Sequence, residues 1–206
     1  MAAPKAILFD VDGTLVDTVD LHAQAWAETF THFGVGADFD DLRRQIGKSG
    51  DEFLEGLVPA EVFASKREEM AKFRGALFTR EYMPRVQAFP GVRALFERIQ
   101  AAGQTIVLAS SGEAKEVEEH KRIANIADLV DEETTAADAE RTKPYPDIFE
   151  AAFAKLRLEQ RSDAIVIGDT PYDAEAARGA GLAAIGVLCG GFTEQALRQA
   201  GCIAVY

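Results

Sequence analysis

Three short apolar segments, at 6–9, 105–109 and 164–167, each run directly into small polar or acidic residues. Their length and their content of Ile, Val, Leu and Phe predict buried β-strands. Helical patterns separate them, and the alternation of strands and helices predicts a parallel sheet that is covered by helices on both faces. The chain is therefore predicted to be an α/β protein with a doubly wound parallel sheet. Ligands of such sheets bind beyond the carboxyl ends of the strands.

The region 18–86 interrupts this alternation, because it contains helical patterns and no strand candidate. Apolar residues recur there at three- and four-residue spacing, and a long helix is predicted from about 60 to 82. A chain of 206 residues can hold a core with a small insertion. We therefore predict an α/β core of residues 1–17 and 87–206 and an inserted all-helical domain of residues 18–86. A polar loop is predicted between 131 and 143.

The amino-acid composition indicates which kinds of partner and which cellular compartment to expect. The formal net charge of -12 argues against nucleic acid and anionic membranes as partners. Cys189 and Cys202 lack metal-type spacing, so both are predicted to be free, buried thiols in a reducing compartment. The first strand follows the N-terminal residues directly, and no apolar run has the length of a membrane span. These features predict a soluble, cytoplasmic protein.

Two aspartates follow the first strand. Asp10 and Asp12 are two residues apart, so on an extended chain their carboxylates point the same way. Two like charges at that range repel, and one is driven toward protonation unless a cation lies between them. The alternative is an ordinary polar turn, for which Asp and Gly are common residues.

The other strand ends carry the same kind of chemistry. Ser110 and Ser111 follow the second apolar strand, and Asp169 and Asp173 follow the strand at 164–167. Carboxylates gathered at one edge form an oxygen-rich site that suits Mg²⁺. Beside such a cation a carboxylate can attack phosphorus as a nucleophile.

Further donors are available to stabilise a transferring phosphoryl group. The candidates are the Ser110 hydroxyl, the Lys143 amino group and backbone N–H groups of the turn at Gly13 and Thr14. Each has a structural alternative: either serine can cap the following helix, and Lys143 can be a solvated loop lysine. Thr170-Pro171-Tyr172-Asp173 has the form of a helix capping box. The functional interpretation depends on the joint occurrence of these residues at the strand ends.

Four segments together resemble the motifs of the haloacid dehalogenase superfamily of phosphohydrolases. They are Asp10-Val-Asp-Gly-Thr-Leu-Val-Asp17, Ser110, Lys143-Pro-Tyr-Pro-Asp147 and Gly168-Asp-Thr-Pro-Tyr-Asp173. Their order and spacing match over essentially the whole chain. The helical insertion is similar to the cap domain of the subgroup that holds phosphoglycolate phosphatase and beta-phosphoglucomutase. The resemblance therefore implies a Rossmann-like core with a helical cap.

The resemblance implies a role for each acidic residue. Asp10 would be the nucleophile and a Mg²⁺ ligand. Asp12 would be the general acid/base and would bind the metal through its backbone carbonyl. Asp169 would be the third protein ligand of Mg²⁺, and Asp173 would support it.

It also implies residues that bind the substrate. Ser110, with Ser111, would hydrogen-bond the phosphoryl group, and Lys143 would hold the charge of the nucleophile and the phosphate. Lys48, in the loop Gly47-Lys48-Ser49-Gly50, is the candidate for a second anionic group of the substrate. His22 lies on an apolar helical face, where a core or hinge role competes with a supporting role in catalysis.

The leading hypothesis is a Mg²⁺-dependent phosphatase that acts as a monomer on a small phosphorylated metabolite, a sugar phosphate or a phosphoglycolate-like compound. Asp12 favours phosphorus chemistry, because the true dehalogenases of the superfamily generally lack an aspartate there. The alternative is a sugar-phosphate mutase, although mutases of the subgroup tend to have Glu-Asp where this chain has Gly168-Asp169. A third hypothesis is a non-catalytic phosphate sensor.

Overall fold

A computed structural model describes residues 3–48, 50–55 and 57–206, with the side chains of residues 50–52 left aside. The chain divides into two compact units, Met1–Asp17 with Gln87–Tyr206 and Thr18–Val86. Among the described residues, no helix has the length and apolar character needed to cross a membrane.

The first unit is built on a six-stranded parallel sheet with the order β3-β2-β1-β4-β5-β6. Its strands are β1 (Ala6–Phe9), β2 (Thr105–Ala109), β3 (Glu132–Thr134), β4 (Ala164–Gly168), β5 (Ala183–Gly186) and β6 (Ala204–Val205). Its helices are α5 (Val92–Ala101), α6 (Ala114–Ala124), α7 (Asp147–Lys155), α8 (Pro171–Gly179) and α9 (Glu194–Ala200). The predicted α/β class and its parallel sheet are confirmed.

Alternate residues of the strands enter opposite faces of the sheet, as the two-residue period requires. Ala6 and Leu8 of β1 pack in one core cluster with residues of α7, α8 and α9. Phe9, on the other face, packs against Phe96 of α5 with ring centroids 4.8 Å apart. Helices therefore cover both faces of the sheet.

Among the described residues of the second unit, the regular elements are helices joined by turns and loops. It contains α1 (Val19–His32), α2 (Phe39–Gln45), α3 (Gly50–Glu55) and α4 (Ala60–Leu77), followed by a wide turn at Phe78–Tyr82 and a short 3-10 turn at Met83–Arg85. The Trp26 ring stacks on Phe53 at 4.6 Å within an apolar core.

Three expectations from the sequence need correction. The polar loop predicted after residue 131 contains β3, a three-residue edge strand whose Glu-Glu-Thr sequence lacks an apolar pattern. The helix predicted from 60 to 82 keeps its regular form only to Leu77. Cys189 was predicted to be buried but is exposed; Cys202 is buried, and both thiols are free.

Candidate active site at the carboxyl edge of the sheet

The register of the parallel strands places the polar residues that follow them at one edge of the sheet. Phe9, the last residue of β1, is paired with Leu108 of β2 and Ile167 of β4. The backbone N–H of Asp10 donates to the Ile167 carbonyl at 2.9 Å, which continues the pairing by one residue. Because parallel strands end at the same edge, Asp10 lies beside Gly168-Asp169.

Three buried carboxylates meet at this edge. Asp10, Asp169 and Asp173 are exposed by 6%, 0% and 2%, and each offers an oxygen within 4.8 Å of the other two. Lys143 is also buried; its ammonium contacts Asp10 Oδ1 and lies 2.8 Å from Asp173 Oδ1. The lysine therefore bridges two of the three carboxylates and is not a solvated loop residue.

Thr14 connects the other pair of carboxylates. Its Oγ1 lies 2.9 Å from Asp169 Oδ1 and 3.2 Å from Asp10 Oδ2. A hydroxyl has one hydrogen, so it donates to one carboxylate and accepts from the other when that group is protonated. The geometry fits a site in which Asp10 and Asp169 share a proton or a cation.

Asp173 has two structural tasks. Its Oδ2 accepts from the backbone N–H of Thr170 at 3.0 Å, while the Asp173 N–H donates to Thr170 Oγ1 at 3.2 Å. The capping box predicted from the sequence therefore begins α8. Since the other carboxylate oxygen faces Lys143, Asp173 holds the lysine in place and is the least available of the three carboxylates for a cation.

Two glycines make room for the carboxylates. A Cβ atom at Gly168 would lie 2.4 Å from Asp173 Cγ, and one at Gly190 would lie 1.6 Å from Asp169 Oδ2. Both distances are far below van der Waals contact. Any side chain at these two positions would displace a carboxylate of the cluster.

Burial governs the proton affinity of the cluster. Burial raises the pKa of Asp10 to about 7, against the lowering effect of Lys143, while Asp173 raises it further. Asp12 makes the smallest of the contributions to the Asp10 pKa. The expectation that repulsion between Asp10 and Asp12 perturbs the pair therefore needs correction, because desolvation is the main cause.

Burial and neighbouring charges also shift the pKa values of Asp169 and Lys143. Burial, followed by the charges of Asp10 and Asp173, holds the pKa of Asp169 well above its ordinary value. Burial alone would lower the pKa of Lys143, but the two carboxylates outweigh it and hold this pKa above its usual range. Three carboxylates face a single ammonium, so with every group ionised the cluster lacks two positive charges.

The residues present fit a divalent cation. Asp169 Oδ2 is buried and has no hydrogen-bond partner among the described residues. An unpaired buried carboxylate oxygen is costly unless a cation or proton meets it. Asp10 and Asp169 supply hard oxygen ligands, the type that Mg²⁺ prefers. Asp12 lies on the following turn with its side chain 21% exposed, and the role of its backbone carbonyl as a ligand stays a prediction.

The predicted phosphate-binding residues differ in how free their donors are. Ser110 is 1% exposed and its Oγ accepts from the Gly112 N–H at 3.0 Å, while Ser111 Oγ is buried without a partner among the described residues. Neither serine caps α6, which begins after Glu113. The N–H groups of Gly13 and Thr14 donate within their own turn, to Val16 and Val11 carbonyls. Phosphate binding by these residues stays a prediction.

The two remaining candidates belong to the helical unit. His22 is buried, stacks on Phe78 at 4.1 Å between ring centroids and contacts the Arg74 guanidinium. Lys48 Nζ donates to Gln45 Oε1 at 2.5 Å. Ser49, in the same predicted loop, lies outside the described residues. Roles of His22 and Lys48 in the reaction stay predictions.

The sequence patterns did not predict that two further residues, His120 and Cys189, lie beside the site. His120 lies on the buried face of α6 with Nδ1 3.8 Å from Asp12 Oδ1. The Cys189 thiol donates to the Gly13 carbonyl at 3.0 Å. Although the residue as a whole is exposed, desolvation of its sulfur raises the pKa of the thiol to about 11. Helical spacing from Val117 offered a signal for His120, because it places this polar residue on the apolar face.

The chain is similar to known proteins both in sequence and in fold. The sequence model of the family described as Haloacid dehalogenase-like hydrolase matches residues 7–187. A crystal structure of a hydrolase from Pseudomonas syringae superposes with a TM-score of 0.85 at 28% identity, covering 98% of this chain and 93% of that one.

Three curated proteins are similar in sequence. Validoxylamine A 7'-phosphate phosphatase of Streptomyces hygroscopicus subsp. limoneus is 30% identical over 89% of this chain and 85% of its own length. Beta-phosphoglucomutase of Bacillus subtilis is 32% identical over 89% of this chain and 83% of its own length. Protein SUPPRESSOR OF QUENCHING 1 of Arabidopsis thaliana is 30% identical over 96% of this chain, which spans 19% of that protein's length.

Proposed function

Because the chain belongs to the haloacid dehalogenase-like hydrolase family, we propose that it is a Mg²⁺-dependent phosphatase of small phosphorylated metabolites. A sugar phosphate or a phosphoglycolate-like compound would react through an aspartyl-phosphate on Asp10. The observation that carries this proposal is the buried Asp10 carboxylate, which Lys143 contacts. It lies beside Asp169 Oδ2, for which the described part of the chain offers no hydrogen-bond partner. The relative named Validoxylamine A 7'-phosphate phosphatase supports the substrate class.

Asp10 is the nucleophile. One oxygen of its carboxylate attacks phosphorus, and the bond between phosphorus and the substrate oxygen breaks. Lys143 and Thr14 contact the Asp10 oxygens and hold the carboxylate in one orientation. Attack needs the ionised form, and a nearby cation favours that form of a group whose metal-free pKa is about 7.

Asp12 moves the protons. It donates a proton to the departing substrate oxygen, and its carboxylate then accepts a proton from the water that attacks the aspartyl-phosphate. The second attack breaks the bond between Asp10 and phosphorus, which releases inorganic phosphate and restores both aspartates. Partial exposure of the Asp12 side chain supports this role, because the group can meet substrate and water.

The transferring group carries negative charge that must be neutralised. Lys143 supplies one positive charge beside Asp10, and Ser110 and Ser111 supply hydroxyl donors after β2. When bound by Asp10, Asp169 and the Asp12 carbonyl, Mg²⁺ would supply charge neutralisation at the phosphoryl oxygens. The unit Thr18–Val86 is proposed as the cap that selects the substrate, with Lys48 binding a further anionic group and His22 supporting it.

A phosphate-release assay tests the proposal. The wild-type protein is offered sugar phosphates, phosphoglycolate and nucleotides, with Mg²⁺ or with a chelator. We expect phosphate release from at least one compound with Mg²⁺ and none with the chelator. The Asp10→Asn variant should release none under either condition. Absence of release by the wild type from the whole panel would overturn the proposal.

A sugar-phosphate mutase is the second candidate, favoured by the similarity to beta-phosphoglucomutase. The packing of Gly168 against Asp173 counts against it, because a glutamate at 168 would displace the Asp173 carboxylate. A requirement for a bisphosphate and formation of an isomer in place of free phosphate would identify a mutase.

A further inference from the structure

His120 of α6 is a buried histidine beside the candidate site. Its side chain is 1% exposed, and neither ring nitrogen has a hydrogen-bond partner among the described residues. It shares the buried face of α6 with Val117 and Ala124. A carboxylate lies close to the ring: Asp12 Oδ1 is 3.8 Å from His120 Nδ1.

An unsatisfied imidazole is costly in such a place. Leaving a buried donor or acceptor unpaired costs about 1–3 kcal/mol, and an apolar residue on this face would avoid that cost. The separation of 3.8 Å from Asp12 exceeds the upper end of the N–H···O hydrogen-bond range by about 0.6 Å. Catalytic hydrogen bonds are often long without substrate and tighten when substrate binds.

We infer that His120 is a positioning residue for Asp12: its Nδ1–H donates to Asp12 Oδ1 and orients the carboxyl group toward the leaving oxygen. This inference rests on the proposed function, in which Asp12 is the general acid. His120 itself touches no substrate, because its side chain is buried. One oxygen of Asp12 faces the imidazole, and the other faces the reacting group.

The role of a general acid depends on the leaving group. An alkoxide leaves with difficulty and needs a proton in the transition state, whereas p-nitrophenolate leaves as an anion. Loss of the His120 contact should therefore slow the first turnover with an alkyl phosphate and spare that with p-nitrophenyl phosphate. A merely structural role of His120 would slow both reactions equally.

Three variants test the inference. His120→Asn places an amide N–H near the position of Nδ1, His120→Gln places it near Nε2, and His120→Leu removes it. The measurement is release of the alcohol or phenol in a single turnover, with circular dichroism as the check on folding. His32→Leu is the control, because His32 is an exposed histidine of the helical unit.

We expect His120→Leu and His120→Gln to slow the alkyl phosphate reaction by about 10-fold, and the p-nitrophenyl phosphate reaction by less than about 3-fold. His120→Asn and His32→Leu should stay within about 3-fold of the wild type on both substrates. Equal losses on both substrates, or wild-type rates in His120→Leu, would overturn the inference. If His120→Leu does not fold, the inference is tested by the difference between His120→Asn and His120→Gln in the rate with the alkyl phosphate.

Failure of the proposed function has a separate signature. If the wild type releases nothing from either substrate, or if Asp10→Asn stays active, the phosphatase proposal itself is wrong. If the wild type is active, Asp10→Asn is inactive and the His120 variants show no leaving-group dependence, only the role of His120 is refuted.

Discussion

The Lys143 amino group lies 2.8 Å from Asp173 Oδ1, and both side chains are almost fully buried. Lys143 also contacts Asp10, so its removal would leave two buried carboxylates without their ammonium. Breaking a buried ion pair from one side costs about 3–5 kcal/mol. Lys143→Met should lower the free energy of unfolding by about this amount in urea titrations of the metal-free protein.

The control is Lys5→Met. Lys5 pairs with Asp163 at 2.9 Å, but its side chain is 66% exposed. Exposed pairs contribute about 0–1 kcal/mol, so this variant should stay within that range. Similar losses in the two variants would show that the Lys143 cluster is solvated in solution.

Asp10→Asn should abolish phosphate release without lowering the free energy of unfolding. Asp10→Asn removes the attacking oxygen, so we expect phosphate release to disappear and no phosphorylated protein to be trapped in acid-quenched reactions. Since burial raises the pKa of Asp10 to about 7, the neutral amide should not lower the free energy of unfolding at pH 8. Asp128→Asn, which alters an exposed aspartate paired with Arg93, is expected to keep its activity. Turnover by Asp10→Asn at a rate near that of the wild type would exclude the nucleophile assigned here.

The raised pKa of Asp10 predicts an unusual pH dependence. The carboxyl titrates near 3.8 in the unfolded chain and near 7 in the metal-free folded protein. Between these values the folded state holds a proton that the unfolded chain has lost. The free energy of unfolding of the metal-free protein should therefore fall as the pH rises from about 4 to about 7.

The affinity of the protein for Mg²⁺ should change with pH in the opposite direction to the free energy of unfolding. The cation competes with protons for Asp10 and Asp169, both of which have raised pKa values. Its affinity, measured by calorimetry, is expected to rise over the same pH range, with protons released on binding. Asp10→Asn should weaken this dependence. An affinity that is constant between pH 5 and pH 8 would contradict the assignment of these carboxylates as ligands.

Gly190→Ala tests the close approach to Asp169. The added Cβ would lie 1.6 Å from Asp169 Oδ2, so the carboxylate must move away from its place in the cluster. We expect a loss of about 1–3 kcal/mol in the free energy of unfolding. We also expect a lower Mg²⁺ affinity in thermal-shift titrations. Gly36→Ala is the matched control, because a Cβ there meets nothing within 4 Å and both properties should stay unchanged. Unaltered Mg²⁺ binding by Gly190→Ala would show that Asp169 Oδ2 is not a ligand.

The alternation of patterns along the chain was enough to predict the parallel sheet. Short apolar strands such as β2 and helices of period 3.6 such as α5 are encoded locally. Because parallel strands end at a common edge, the predicted sheet also predicted that Asp10, Ser110 and Asp169 lie at one site. The capping box of Thr170 and Asp173 was also predictable from the sequence, because the two residues are close together in the chain. The polar edge strand β3 was missed, because its pairing with β2 and not its own pattern makes it a strand.

The sequence by itself therefore determined the class of fold, the strand ends that form the candidate site and the residue types found there. Only the tertiary structure decided how these groups influence one another. Burial, and not the neighbouring Asp12, is the main cause of the raised Asp10 pKa, and Gly190 approaches Asp169 from a distant part of the chain. His120 reaches Asp12 in the same way. Desolvation and contact depend on which surfaces pack together, and no local pattern in the sequence records that packing.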